Sequence, residues 1–71
     1  MTERDIFAKV LKIFKDRENY WGDEAHNADP NDHNYQMACL DRAGTYHTAW
    51  WVVYYAMQED WDALNQFDYY N

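Results

Sequence analysis

The strongest constraint on the fold is a row of large apolar side chains in the C-terminal half of the chain, spaced three and four residues apart. The composition of Trp50–Tyr55 is typical of a β-strand, because aromatic and β-branched residues are enriched in strands. Apolar residues run without alternation over 49–57, however, and the three- and four-residue spacing favours an α-helix. We predict a helix over about 45–66, with a strand at 49–55 as the alternative. Its core residues would be Tyr46, Trp50, Val53, Tyr54, Met57, Trp61 and Leu64.

Two further amphipathic segments precede this helix. The first begins at Thr2, a helix N-cap with an acidic residue three positions later, and predicts a helix over about 3–18 with Gly22 as a stop. The second follows a turn at Asp29–Asp32 and predicts a helix over about 33–43 with Asp32 as its N-cap. Gly44 is interpreted as a break, followed by Thr45 as the N-cap of the last helix. A kinked continuous helix is the alternative, because one glycine costs only about 1 kcal/mol inside a helix.

A chain of 71 residues is long enough for a single domain, 1–71. Three amphipathic helices with short connections predict an all-α fold, a small antiparallel three-helix bundle. The stretch at about 19–32 would be an acidic loop. Polar loops of this length are more often functional than mere connections.

The charge of the chain is strongly acidic and unevenly placed. The net charge is -7, which argues against direct binding of DNA, RNA or an anionic membrane and favours a basic partner. Residues 1–17 hold five basic and three acidic groups, whereas residues 18–71 hold ten carboxylates and one basic residue, Arg42. No apolar run is long enough for a membrane span or a secretion signal. The lone Cys39 fits a reducing compartment, so we expect a cytoplasmic protein.

No catalytic or metal-binding pattern is recognisable. An EF-hand that started at Asp29 would lack both the turn glycine and the final glutamate. The histidines at 26, 33 and 47 have no known zinc-ligand spacing. Cys39 lies on the apolar side of a short helix, where a buried and unreactive thiol is usual. We therefore expect no catalytic residue, no metal, no cofactor and no enzymatic activity.

Trp51 and Tyr55 fall outside the predicted core sector of the last helix. Either this helix is central and packed on both sides, or the two rings form an exposed patch for a partner or a homodimer. Carboxylates follow them along the chain, and if the loop folds beside the helix, its acids would complete an array like a row of phosphates. The predicted partner-binding residues are Asp23, Glu24, Asp29, Asp32, Trp51, Tyr55, Glu59, Asp60, Asp62 and Asp68.

In composition, with its acidic chain after residue 17 and its surplus aromatics Trp51 and Tyr55, the protein resembles small acidic inhibitors made by phages and mobile elements. Those families include anti-CRISPR and anti-restriction proteins, several of which mimic DNA. The resemblance implies a protein that blocks a basic, nucleic-acid-binding groove of a partner, such as a host defence nuclease in a bacterial cytoplasm. The alternative is a structural or assembly protein that dimerises through the aromatics of the last helix.

Overall fold

The computed structural model describes residues 1–67 and contains three helices. These are α1 (Glu3–Asn27), α2 (His33–Met57) and α3 (Trp61–Asn65). The all-α prediction is confirmed, and residues 1–67 contain no strand, so the strand alternative at 49–55 is wrong. The three-helix bundle is confirmed only in part. Helices α1 and α2 pair as a long antiparallel hairpin, and α3 is a single short helix after it.

Two of the predicted N-caps, Thr2 and Asp32, are confirmed. The Thr2 hydroxyl accepts a hydrogen bond from the Asp5 N–H at 3.2 Å, and the Asp5 carboxylate accepts one from the Thr2 N–H at 3.1 Å. Hydrogen bonding with Thr2, first through its backbone N–H and to a smaller extent through its hydroxyl, lowers the pKa of Asp5 below its usual 3.8. At the second helix, the Asp32 carboxylate accepts from the Tyr35 N–H at 3.1 Å. The sequence signals for both helix starts were therefore sufficient.

The hairpin interface consists of one row of residues on each helix, with alternating steps of three and four, as in an antiparallel coiled coil. This spacing keeps each row on one side of its helix, and all of its members are buried or half-buried. The rows are Phe7, Leu11, Phe14, Glu18, Trp21 and Ala25 on α1, continued by its C-cap Ala28, and Gln36, Cys39, Ala43, Tyr46, Trp50, Val53 and Met57 on α2.

Specific polar and aromatic contacts set the register of the two helices. Near the loop, the Gln36 side-chain amide donates to the carbonyl oxygen of Ala25 at 3.2 Å. Further along, the Arg42 guanidinium lies over the Trp21 ring, 4.5 Å from its centroid, a cation–π contact between the helices. Beyond this contact, the Phe14 ring of α1 pairs with the Tyr46 ring of α2. Contacts therefore link the helices along much of their length.

The predicted acidic loop at 19–32 is wrong in extent, because α1 continues through Gly22 to Asn27. Only residues 28–32 connect the helices. The predicted turn lies at the end of this connection, where the Asp32 N–H donates a hydrogen bond to the Asp29 carbonyl at 2.9 Å. Helix α1 continues because Trp21 and Ala25 extend the contact row against α2, which outweighs about 1 kcal/mol for a helical glycine. Gly22 does not have a positive φ.

The predicted break at Gly44 is also wrong, and the continuous alternative is correct. Thr45 does not cap a new helix: its hydroxyl donates to the Asp41 carbonyl at 3.0 Å, one turn back in the same helix. The rows on α2 pass Gly44 without interruption. Helix α2 is therefore one 25-residue element rather than two helices at 33–43 and 45–66.

The predicted last helix ends earlier than residue 66. Glu59 has a φ of 55°, and the N–H groups of Glu59 and Asp60 donate to the carbonyls of Ala56 and Tyr55, each at 3.0 Å. This pair of hydrogen bonds is a Schellman motif, which stops a helix. The chain then turns into α3, out of register with α2. Trp61 is consequently 69% exposed, and its prediction as a core residue is wrong.

The hairpin is a single layer of helices with very little interior. Its extents are 45 × 31 × 13 Å and its radius of gyration is 14.6 Å, against about 11 Å for a compact domain of this length. Within residues 1–67, only Leu11, Ala25 and Cys39 are buried. No helix in the same part of the chain is long and apolar enough to cross a membrane.

Candidate functional site

The aromatic residues near the C-terminal end of α2 form a continuous cluster that extends from the row facing α1 around the helix surface. Trp50 and Tyr54, one turn apart, are nearly parallel, with ring centroids 5.3 Å apart and an interplanar angle of 8°. Trp51 contacts both edge-on, at 4.9 Å from Trp50 and 5.7 Å from Tyr54. Steps of three and four residues place these rings on adjacent positions of the helix surface. We call Trp50, Trp51, Tyr54 and Tyr55 the aromatic cluster.

Trp51 and Tyr55 are both half-buried, and they do not belong to the contact row with α1. Their rings lie 5.5 Å apart, and Tyr55 also pairs with Phe67 at 6.2 Å. The neighbouring rings and the segment after α3 supply this partial cover, rather than a helix packed on the far side. Both side chains therefore remain partly accessible.

Three predicted carboxylates surround the C-terminal end of α2. Glu59 lies in the Schellman turn, Asp60 caps α3 by accepting from the Ala63 N–H at 3.1 Å, and Asp62 lies in the first turn of α3. All three are exposed. Because Phe67 packs back on Tyr55, these acids and the aromatic cluster share one end of the hairpin. The predicted Asp68 lies outside the described residues.

The other predicted acids lie at the opposite end of the hairpin, Asp23 and Glu24 near the end of α1 and Asp29 and Asp32 in the loop. Asp29 and Asp32 accept hydrogen bonds from backbone N–H groups, at 2.9 Å from Asn31 and 3.1 Å from Tyr35. Glu24 accepts from the Tyr35 hydroxyl at 2.8 Å. This bond, followed by contact with Cys39, raises the pKa of Tyr35 above its usual value. Much of this acidic group therefore stabilises the connection between α1 and α2.

The two acidic groups do not form the single array that the sequence suggested. They are separated by the whole length of α2, about 37 Å at 1.5 Å per residue. The condition for that array was a loop beside the last helix. It is not met, because the loop joins α1 to the start of α2. What the fold brings together is a smaller set: Trp51, Tyr55, Glu59, Asp60 and Asp62.

The structure brings together few groups with catalytic or ligand chemistry. Cys39 is a buried free thiol in the hairpin interface, and His47 contacts Glu18 on α1, Nδ1 to Oε2, at 3.0 Å. Among residues 1–67, no three His, Cys, Asp or Glu side chains converge in a way that could hold a metal ion. An open cleft lies where the α1 N-terminus meets the α2 C-terminus. It is lined by Glu3, Arg4, Phe7, Ala56, Met57, Gln58 and Glu59.

Sequence reasoning missed two members of the site's surroundings. Phe67 was not singled out, although it supports Tyr55, because its contact depends on the chain reversal at Glu59. His47 was considered only as a metal ligand, whereas its ring lies 6.4 Å from that of Trp51. Its position four residues before Trp51 was the signal that could have found this contact.

Comparison of the chain with protein-family models, with curated proteins and with solved structures finds no match.

Proposed function

We propose that this protein is a non-enzymatic, acidic binding protein that blocks a basic, nucleic-acid-binding groove of a partner protein. The observation that carries the proposal is the set of half-buried rings beside exposed carboxylates at the C-terminal end of α2. Rings of Trp and Tyr supply much of the affinity in protein interfaces. Clustered carboxylates complement Lys and Arg side chains that otherwise bind phosphates.

The charge distribution supports a basic partner at this end. No Lys or Arg follows Arg42 in the chain, so Glu59, Asp60 and Asp62 have no basic neighbour in sequence. None of the ion pairs found within residues 1–67 involves them. Exposed carboxylates of this kind accelerate association with a cationic surface and make it sensitive to salt.

The test is capture of a partner from a bacterial lysate on the immobilised protein, followed by binding kinetics with the captured protein. We expect a basic protein whose association rate falls steeply with salt. Nucleic acid should compete with the acidic protein for the basic groove of the captured partner. The charge variant is Glu59→Gln with Asp60→Asn and Asp62→Asn, in which asparagine preserves the α3 N-cap. It should slow association and flatten the salt dependence.

The matched control is Asp23→Asn with Asp29→Asn and Asp32→Asn at the loop end, which also removes three carboxylates but lies about 37 Å away along α2. This control should leave the association rate nearly unchanged if only the C-terminal end of α2 binds the partner. A similar effect of both variants would indicate a groove that spans the whole hairpin. Binding that responds to neither salt nor substitution would contradict the proposal.

The alternative function is assembly through the aromatic cluster. Its supporting observation is that, among residues 1–67, the rings of Trp51 and Tyr55 pack on other rings and on Phe67 and stay half-buried. Trp51→Ala with Tyr55→Ala distinguishes the two functions. In the binding protein this pair weakens capture of the basic partner, whereas in the assembly protein it reduces the mass of the oligomer.

A further inference from the structure

We propose that two copies of this chain pack face to face through a second surface, on the side of the hairpin opposite the aromatic cluster, and form a four-helix dimer. This proposal does not depend on the proposed function. The surface, which we call the isoleucine face, consists of Ile6, Val10 and Ile13 of α1 with Ala49, Val52 and Ala56 of α2.

The α1 part of the isoleucine face is a second apolar row beside the one that contacts α2. Ile6, Val10 and Ile13 follow at steps of four and three, and the charged Arg17 and then Tyr20 continue the row at the same steps. Ile6 is 51% exposed and Ile13 is 47% exposed, although both are large and aliphatic. A helix with two adjacent apolar rows is typical of a bundle in which it contacts two neighbours.

Contacts between the helices place the α2 part on the same side. Glu24 continues the Ile6–Tyr20 row by a further step of four, and it accepts a hydrogen bond from Tyr35 of α2 at 2.8 Å. Steps of seven from Tyr35 lead along α2 to Arg42, Ala49 and Ala56. The two rows therefore border the same side of the hairpin. The contact of His47 with Glu18, at 3.0 Å, marks the other side, where His47 lies beside Trp51.

The occupant is a second copy because the fold lacks a second layer. A stable domain packs at least two layers around a core, whereas this hairpin is 13 Å thick in its thinnest dimension. Residues 1–67 contain only three buried side chains. A second hairpin laid on the isoleucine face would bury both sets of isoleucines in one shared core.

The available area and charge agree with a symmetric dimer. Two paired helices about 37 Å long and 10 Å wide present a whole side of about 740 Å², close to the roughly 800 Å² per partner of a standard interface. The isoleucine face is the uncharged, apolar part of that side. Further along the same rows, Arg17, Glu24 and Arg42 carry charges of both signs. A basic partner would be attracted to the acidic ends of the hairpin instead. A two-fold interface pairs one patch with itself and needs no complementary charge.

The experiment measures the mass of the protein in solution by sedimentation equilibrium over a range of micromolar concentrations. We expect twice the 8.7 kDa of one chain. The variant Ile6→Glu with Ile13→Glu should have the mass of one chain, because it places charges in the apolar interface. A matched control, Lys12→Gln with Lys15→Gln, makes the same change in net charge on the polar side of α1, where these lysines pair with Asp16 and Glu18, and should remain dimeric.

A second variant pair, Ile6→Ala with Ile13→Ala, keeps the test valid if the glutamates prevent folding. Alanine favours the helix, so this pair should weaken the dimer while α1 stays helical by circular dichroism. A wild-type protein with the mass of one chain would overturn the proposal. It would also be overturned if both isoleucine variants remained dimeric, or if Trp51→Ala with Tyr55→Ala dissociated the dimer instead. Binding of a partner through the aromatic cluster is measured independently, by capture from the bacterial lysate.

Discussion

Gly44 lies in the middle of α2 although glycine is the poorest helix former after proline. Its φ is not positive, so the backbone there does not need the freedom of glycine. A Cβ atom built on Gly44 would meet no atom within 4 Å. The residue is therefore a weak point of the helix rather than the boundary that its sequence context suggested.

We predict that Gly44→Ala stabilises the protein by up to about 1 kcal/mol, through lower backbone entropy in the unfolded chain and better helix propensity. The measurement is urea unfolding followed by circular dichroism at 222 nm. Gly22→Ala, which is equally free of contacts, should behave in the same way on α1. A loss of stability at both positions would mean that another chain lies close to these glycines.

At the scale of the element, the end of α2 decides which aromatic residues stabilise the fold. Trp50 belongs to the row that faces α1 and stacks on Tyr54. Trp61 would continue the same spacing if the helix were longer, but the Schellman motif at Glu59 removes it from the register. Two tryptophans that the sequence places in one core therefore have different surroundings.

We predict that Trp50→Ala destabilises the protein toward the lower end of about 3–5 kcal/mol, because Trp50 is half-buried rather than enclosed. Trp61→Ala should change the free energy of unfolding by no more than about 0.5 kcal/mol, as expected for an exposed side chain. Denaturant unfolding of the two variants side by side measures the contrast. Equal losses would indicate that α3 packs against a further surface.

At the scale of the whole molecule, charge repulsion opposes compactness. The net charge is -7, and two of the ion pairs, Lys12 with Asp16 and Lys15 with Glu18, join neighbours on α1. Exposed pairs of this kind contribute little to stability. The carboxylates at the two ends of the hairpin are therefore opposed by few favourable ion pairs.

We predict that the melting temperature rises as sodium chloride is added from low to physiological concentration, because salt screens repulsion among exposed carboxylates. Thermal unfolding at fixed protein concentration measures the effect, with the Glu59→Gln, Asp60→Asn and Asp62→Asn variant as the comparison. That variant should melt higher at low salt and respond less to added salt. A melting temperature that falls with salt would mean that ion pairs dominate.

The sequence by itself determined the local features of this protein. Thr2 and Asp32 were recognisable as N-caps because each carries its hydrogen-bonding oxygen within the first turn that it stabilises. The helical spacing around Trp50 excluded a strand. The repeat Phe7, Leu11, Phe14, Trp21 and Ala25 also contained the signal for a longer α1, since it passes Gly22 without a change of phase.

Only the tertiary structure decided where the helices end and which side chains lie next to each other. Gly22 and Gly44 resemble stops, but contacts between α1 and α2 more than offset their cost. The chain reversal at Glu59 depends on hydrogen bonds to Tyr55 and Ala56 that composition does not reveal. The separation of the acidic groups follows from the continuity of α2, because each helix residue adds a fixed rise and an unbroken helix must hold its two ends apart.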